Sequence, residues 1–244
     1  MQVGKRQFSP GWFPTIITIL LLPVLISLGI WQLDRAEQKR EMYRVFIDRQ
    51  EAAPVNLIDS NIPVTNTEQL LWRHVNVSGE FITDRIILLD NQVVDGVPGY
   101  FVFTPFRLTD EDVLVLVNRG WIAGSGNRSE IPEIETATGA VNLIAVAVET
   151  PATGILLQQH TIETLTNSMY RVQRIDINEM KELINHDFLP YVLRLEPESE
   201  HGFKRQWQVP GSGEEKHLGY AFQWFALAVT LLIIYIVVNT RKTV

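Results

Sequence analysis

The chain has no cysteine among its 244 residues, and this absence removes several functions. Without a thiol the protein forms no disulfide, holds no thiolate-bound metal and carries out no thiol redox chemistry. Copper handling is disfavoured as well, because it needs clustered Met, Cys or His, whereas the 4 methionines and 5 histidines show no ligand spacing. Signatures of serine hydrolases, phosphate-binding loops and zinc proteases are also missing. The sequence therefore predicts a protein that is not an enzyme.

Two long runs lack every charged residue type, and they lie near the ends of the chain, at residues 13–33 and 218–238. Each run would be about 30 Å long as a helix, which matches the hydrocarbon core of a bilayer. Pro14 and Pro23 lie in the first run, where neighbouring helices and local backbone adjustment satisfy the freed carbonyl groups. We predict two transmembrane helices, and hence the lipid bilayer as a partner.

A cleaved signal peptide is the alternative for the first run, because Lys5 and Arg6 precede it. The run is longer than the usual signal-peptide core of roughly 7–15 residues, and no small-residue cleavage site follows it. An uncleaved anchor is therefore the preferred interpretation. The segment before the run also lacks the length and serine content of a mitochondrial transit peptide, which favours a bacterial source.

The two spans divide the sequence into an N-terminus at 1–12, a first span at 13–33, an extramembrane domain at 34–217, a second span at 218–238 and a C-terminus at 239–244. Both termini then lie on one side of the membrane and the domain on the other. Lys and Arg flank each span on both sides, so charge leaves the orientation open. The protein carries −7 and each end contributes +2, so the domain carries −11. Such a domain repels phosphate groups, and we predict no nucleic acid partner.

Short extended segments separated by turns dominate the predicted domain. They lie at 74–77, 86–89, 100–103, 113–117, 141–148, 170–175 and 189–195. One helix is predicted at 178–185, with Asp176 and Glu179 in capping-box spacing, and residues 57–70 are predicted to form a loop. Because strands do not alternate with helices, the sequence predicts an α+β membrane protein. Its terminal transmembrane helices flank a mostly antiparallel sheet or partly closed barrel.

Several polar residues lie where the two spans meet the domain. Gly29 and Gln32 are three residues apart on the first span, so a second helix could approach closely at Gly29. We predict a hydrogen bond between Gln32 and Gln223, because amides in lipid are costly unless they pair. Arg35 and Lys39 follow at headgroup depth, where basic side chains either snorkel as anchors or meet an anionic ligand.

Four motifs occur in order along the chain. They are Gly29-x-Trp31-Gln32-x-x-Arg35-x-x-x-Lys39, then Pro98-Gly99-Tyr100 with Thr104-Pro105-Phe106, then Val-Leu-Val-Asn-Arg-Gly-Trp at 115–121, and His-Leu-Gly-Tyr-Ala-Phe-Gln-Trp-Phe at 217–225. The ordered set resembles the surfeit-locus family of cytochrome c oxidase assembly factors, in its bacterial type, over nearly the whole chain.

The resemblance implies a multi-pass protein of the bacterial cell inner membrane, or of the mitochondrial inner membrane in a eukaryote, with both termini inside. It implies a role in handling haem a between the haem a synthase and cytochrome c oxidase subunit I. Bacterial members have a proposed haem-ligating histidine at the start of the second span, which is His217 here. Tyr220 and Trp224 share its helical face and offer aromatic surface, and Arg35 and Lys39 are candidate partners of the haem propionates.

Two alternatives stay open at this point. His217 could be an interfacial residue that bonds to its own domain, and the protein could be a haem-free scaffold that holds subunit I or the haem a synthase. In the central motifs, Gly99 and Gly120 are expected at turns or bulges and Trp121 in the core. Arg119 is expected to pair with a carboxylate of its own acidic domain.

Overall fold

The computed structural model describes residues 2–3, 6–57, 62–109, 111–127, 130–151 and 162–242. In chain order the elements are β1 (Gln2–Val3), β2 (Arg6–Phe8), α1 (Trp12–Glu51), β3 (Val55–Asn56), α2 (Thr67–Leu70), β4 (His74–Phe81), β5 (Ile86–Val94), β6 (Val97–Leu108), β7 (Leu114–Ala123), β8 (Ala140–Val148), β9 (Glu163–Thr166), β10 (Met169–Val172), α3 (Ile177–Ile184), β11 (Phe188–Leu195), α4 (Glu214–Val238) and β12 (Thr240–Lys242). They form two compact units, one from Met1–Ile47 with Gln208–Val244 and the other from Asp48–Trp207.

The first unit is built around α1 and α4. Both helices are long and apolar enough to cross a membrane by length and composition, which confirms the predicted apolar helix at each end. Helix α1 has 40 residues and is about 60 Å long, because it continues past the apolar run without a break. Pro14 lies in its first turn, where no helical hydrogen bond is lost, and Pro23 lies inside it.

Short strands from both ends of the chain meet in the first unit. Strands β1, β2 and β12 form a three-stranded antiparallel sheet that the sequence did not predict. Asn239, which is 3% exposed, joins the ends of the helices. Its side-chain oxygen accepts from the Gly11 N–H at 2.7 Å, and its amide donates to the Tyr235 carbonyl at 2.7 Å. The beginning of α1 and the end of α4 therefore lie together.

The second unit is a nine-stranded sheet in the order β3-β4-β8-β11-β7-β6-β5-β10-β9. Strand β4 pairs with β6 as well as with β8, so β4, β8, β11, β7 and β6 close into a five-stranded barrel. Three pairs are parallel, namely β3–β4, β5–β10 and β7–β11, and the others are antiparallel. The predicted mostly antiparallel sheet is confirmed, and the partly closed barrel that was the alternative prediction is present within it as a closed five-stranded barrel.

Alternating apolar residues fill both faces of this sheet. One face lines the barrel, where Val75, Phe106, Val117, Ala145 and Leu193 belong to a single buried cluster. The opposite face packs with α3 through a second buried cluster that includes Met180. The predicted cap of α3 is present, since Asp176 accepts hydrogen bonds from the N–H groups of Asn178 and Glu179.

The predicted segments differ from the observed ones mainly at their ends. The segment predicted at 170–175 ends at Val172, where two bends lead into α3. The predicted loop at 57–70 contains the single turn of α2, and its residues 58–61 lie outside the described part of the chain. Most observed strands are longer than the predicted segments, because pairing continues past the apolar run, to Phe81 in β4, Val94 in β5 and Ala123 in β7.

Candidate functional site

His217 lies on the first turn of α4 and bonds across to α1. Its Nδ1 is 2.8 Å from Oε1 of Gln32, and Gln32 is only 9% exposed. A carbonyl oxygen can only accept, so Nδ1 carries a hydrogen, and in the neutral ring the Nε2 atom then keeps its lone pair. Nε2 bonds to no residue in the described part of the chain. The pair therefore fixes the tautomer and leaves one ring nitrogen available as a ligand.

The predicted hydrogen bond between Gln32 and Gln223 is wrong. Gln32 bonds to His217 instead, and Gln223 is exposed. The physical reason is helical phase, because six residues at 3.6 per turn place Gln223 about 120° away from His217 around α4. Only one of these two side chains can face α1.

Small residues line the contact between the two helices. Gly29 is buried, and a Cβ at this position would lie 2.7 Å from Cε1 and Cζ of the Phe225 ring. Ala36 on α1 is also buried, as are Ala221 and Ala228 on α4. Gly29 and Ala36 are seven residues apart, as are Ala221 and Ala228, which is the repeat that keeps one helical seam facing its partner. The seam holds Gln32 and His217 in register.

The two predicted cations lie on the same side of α1 as Gln32. Arg35 and Lys39 follow Gln32 at i+3 and i+7. Arg35 is exposed, donates to the Gln38 side-chain oxygen at 2.8 Å and lies 5.7 Å from the centre of the Trp31 ring. Lys39 is half-buried. The next residue, Arg40, forms an ion pair with Glu214 of α4 at 3.2 Å.

The predicted aromatic residues below His217 have different environments. Tyr220 is 52% exposed, whereas Trp224 is half-buried. Both follow His217 at helical spacing, at i+3 and i+7, and so lie on its side of α4. Together with the small buried Ala221, they give this side of the helix pair an aromatic surface beside a shallow seam.

A metal ion bound by His217 would need further ligands. Within the described residues, no three His, Cys, Asp or Glu side chains come together as a metal site. A metal at His217 must therefore bring its other ligands, as the iron of a porphyrin does. Metal-binding histidines normally donate their second ring N–H to an oxygen acceptor, and Gln32 supplies that acceptor. The residues present fit a haem axial ligand.

The comparison with known proteins supports the family resemblance that the motifs indicated. The model of the SURF1 family matches residues 19–229. The chain belongs to the SURF1 family. A SURF1-like protein of Rickettsia felis is 26% identical over 230 residues, which are 91% of this chain and 95% of that relative. A SURF1-like protein of Drosophila melanogaster is 31% identical over 160 residues, covering 58% and 51%. The cytochrome oxidase assembly protein SHY1 of Saccharomyces cerevisiae is 31% identical over 121 residues, covering 49% and 31%.

The central motif of this SURF1-family chain surrounds a buried arginine on β7. Arg119 is 2% exposed and donates to the carbonyls of His201 and Glu135 at 2.8 and 2.6 Å and to the Thr136 hydroxyl at 2.8 Å. Its guanidinium carbon lies 5.1 Å from the ring centre of Phe81. The prediction that Arg119 pairs with a carboxylate is wrong, because its N–H groups donate to neutral oxygen atoms. Burial lowers the pKa of Arg119 to about 10.

The neighbouring motif residues have structural roles, as expected. Trp121 is 7% exposed and its indole N–H donates to the Gln92 carbonyl at 3.0 Å. Gly120 has φ +115°, and a Cβ there would lie 2.8 Å from the Lys204 carbonyl oxygen. Only glycine allows that close approach. A cavity of about 500 Å³ adjoins Arg119 and is lined by Thr136, His201 and Phe203 among others.

The sequence did not reveal two features of the site. Phe225 packs on Gly29, although its apolar run gave no reason to single it out. The Asn239 bridge at the other end of the helices lies in the predicted cytoplasmic tail. A polar residue placed directly after an uncharged run was the only available signal for it.

Proposed function

We propose that this protein assists the assembly of cytochrome c oxidase by binding haem a transiently and passing it to subunit I. Membership of the SURF1 family and similarity to a yeast protein named as a cytochrome oxidase assembly protein support the assembly role. The observation that carries the haem role is the bond between His217 Nδ1 and Gln32 Oε1 at 2.8 Å. It leaves Nε2 as a neutral nitrogen ligand.

We further propose that α1 and α4 cross the bacterial inner membrane as a hairpin, with both termini cytoplasmic and the β domain in the periplasm. Their length and apolar composition support the two crossings. The sheet formed by β1, β2 and β12 joins the two ends of the chain, which supports a shared side for the termini. His217 then lies at the outer end of the hairpin, where the apolar run begins.

The residues around His217 would divide the work of holding haem a. His217 Nε2 would hold the iron, and Gln32 would keep the ring in the tautomer and orientation that ligation needs. Arg35 and Lys39 bind the propionates, because guanidinium and ammonium groups make charge-assisted hydrogen bonds to carboxylates. Tyr220 and Trp224 offer aromatic surface to the macrocycle. A single axial ligand at a shallow seam suits a group that has to be released again.

The test is to co-express the full chain with the haem a synthesis enzymes, purify it in detergent and record its absorption spectrum. We expect bound haem a with a histidine-ligand signature, and we expect His217→Ala to lose most of it. Gln32→Leu should weaken binding and change the ligand-field bands, whereas Gln32→Glu retains an acceptor for Nδ1. His186→Ala is the matched control, because His186 lies in the β domain beside Asp112.

Full haem occupancy in His217→Ala would overturn the ligand assignment. The wild-type protein could instead be haem-free and still co-purify with subunit I or the haem a synthase. That outcome would support a membrane scaffold and not a haem-binding protein. Both outcomes are read from the spectrum and the co-purifying subunits.

A further inference from the structure

Arg194 lies on the outer face of the barrel, near the end of β11. Side chains alternate along a strand, and Tyr191, Leu193 and Leu195 belong to the cluster that fills the barrel. Val192 belongs to the cluster on the opposite face. Arg194 follows Val192 at i+2 on that face, where it is half-buried. Arg194 therefore places a positive charge on the same face of the strand as the buried apolar side chain of Val192.

Two tryptophans hold the Arg194 guanidinium. Its Cζ lies 5.8 Å from the ring centre of Trp72 and 5.0 Å from that of Trp207. The Trp207 ring is anchored by its indole N–H, which donates to the Leu195 carbonyl at 2.9 Å, and by the Phe101 ring at 5.7 Å. Both tryptophans are half-buried, so each residue keeps part of its surface accessible.

The backbone of Trp72 is strained at this place. It has φ +66°, a conformation that bulky L-residues rarely adopt. The Trp72 N–H donates to the Ala147 carbonyl at 2.7 Å, and the Trp72 carbonyl accepts from the Gln50 amide at 2.6 Å. Strain that is held by such bonds is concentrated at functional sites in proteins.

In the described part of the chain no carboxylate lies within ion-pair distance of Arg194, although the charge of Glu196 acts on it. Its guanidinium makes no hydrogen bond or ion pair there, and its Nε is buried without an acceptor. The two terminal nitrogens are not buried. Glu196, the nearest acid along the strand, faces His74 with its Oε1 3.5 Å from Nδ1. Burial lowers the pKa of Arg194, and the nearby charge of Glu196 offsets part of this effect.

Other buried arginines in the same unit are fully engaged. Arg171, which is 5% exposed, makes two hydrogen bonds to the Glu163 carboxylate at 2.8 and 2.9 Å. Arg119 bonds to carbonyls and hydroxyls. An arginine that only covered the indoles with its alkyl stem would extend its charged end into water. Arg194 instead places the guanidinium itself between the rings.

We propose that Arg194, held between Trp72 and Trp207, binds the side-chain carboxylate of an Asp or Glu residue in a partner protein. The terminal nitrogens match the two carboxylate oxygens in an end-on pair. Tryptophan and arginine are the residue types that dominate binding energy at protein interfaces. The accessible surface of the two tryptophans offers apolar contact to the residues that flank the acid. This site is independent of the proposed haem function.

The test uses the full chain labelled with 5-fluorotryptophan in detergent and followed by ¹⁹F NMR. Trp72 and Trp207 resonances are assigned with Trp72→Phe and Trp207→Phe. The probe is a blocked pentapeptide, acetyl-Ala-Leu-Glu-Leu-Ala-amide, compared with its Gln analogue and with sodium acetate. We expect the glutamate peptide alone to shift both resonances saturably. Arg194→Gln should weaken the peptide affinity at least about tenfold, and Arg194→Lys should retain part of it.

Arg107→Gln is the matched control, because Arg107 is exposed on the same barrel and already paired with Glu80 at 3.0 Å. It should leave the titration unchanged. The proposal is overturned if the Gln peptide shifts the resonances as much as the Glu peptide. It is also overturned if acetate saturates the site equally well, or if Arg194→Gln binds the peptide normally. The comparison of the two peptides needs no variant, so it decides the matter even if Arg194→Gln does not fold.

Discussion

At the scale of single residues, Arg119 shows how this domain keeps a cation inside its core. The guanidinium joins three parts of the chain, because it donates to Glu135, Thr136 and His201 from its place on β7. Each accepted bond also satisfies a carbonyl or hydroxyl that would otherwise lose its contact with water. No carboxylate among the described residues pairs with Arg119. Its positive charge is stabilised instead by the carbonyl and hydroxyl dipoles and by the ring faces of Phe81 and Phe203.

Replacing Arg119 by methionine should destabilise the domain. The change keeps much of the volume but leaves the carbonyls of Glu135 and His201 without donors, so we expect a loss of about 2–4 kcal/mol. The measurement is near-ultraviolet circular dichroism of the full chain during chemical unfolding in detergent. Arg107→Met should cost less than about 1 kcal/mol, because its ion pair is exposed. Equal losses in the two variants would contradict the role given to Arg119.

The sequence located the polar residues of the site but not their partners. It placed Gln32, Gln223 and His217 at the junction of the spans and the domain, and it singled out Arg119. The pairs depend on how two helices are rotated against each other, and on which loop covers a strand. Neither is contained in the periodicity of one segment. The acidity of the whole domain suggested a carboxylate for Arg119, yet average charge says nothing about local contacts.

At the scale of elements, the helix pair depends on small residues in its seam. Apolar surface gives two helices no reason to associate in lipid, so close packing has to supply the attraction. Gly29 allows the Phe225 ring to lie against the α1 backbone. At the termini, Thr15 Oγ1 and Tyr235 Oη lie 3.0 Å apart. The two helices therefore make contact near both ends of α4.

A larger side chain at Gly29 should separate the helices. Gly29→Leu would collide with the Phe225 ring, and we expect a loss of about 1–3 kcal/mol, measured as a lower midpoint of unfolding by dodecyl sulfate. Gly219→Leu is the matched control, because a Cβ at Gly219 has no neighbour within 4 Å. In a Phe225→Ala background the effect of Gly29→Leu should shrink, since the two sites are coupled. Unchanged stability of Gly29→Leu would disprove the seam.

Element types were predictable where a segment carries its own pattern. The apolar terminal helices, the strands of the domain and the cap of α3 all follow from local composition and spacing. The closure of the barrel does not, because the pairing of Gly79 with Leu108 between β4 and β6 joins distant segments at one end of each strand. Strands β1, β2, β3, β9 and β12 were missed, since segments of two to four residues show no clear periodicity.

At the scale of the whole molecule, the charge distribution and the absence of cysteine determine how the proposed topology can be tested. The −11 charge between residues 34 and 217 lies on the part that we place in the periplasm. Basic residues near both spans leave the orientation undecided by charge. Because the protein contains no thiol, any single cysteine introduced into it is an unambiguous reporter of sidedness.

Ser9→Cys and Glu182→Cys place such reporters on exposed residues of the terminal region and of α3. In intact bacterial spheroplasts, a membrane-impermeant maleimide should label Glu182→Cys and leave Ser9→Cys unlabelled. After the membrane is disrupted, both variants should be labelled to the same extent. The reverse labelling pattern would mean that the hairpin has the opposite orientation, with His217 at the cytoplasmic surface. If the mature protein lacked the segment that contains residue 9, a cleaved signal peptide would be supported instead. Helix α4 would then be the single membrane anchor.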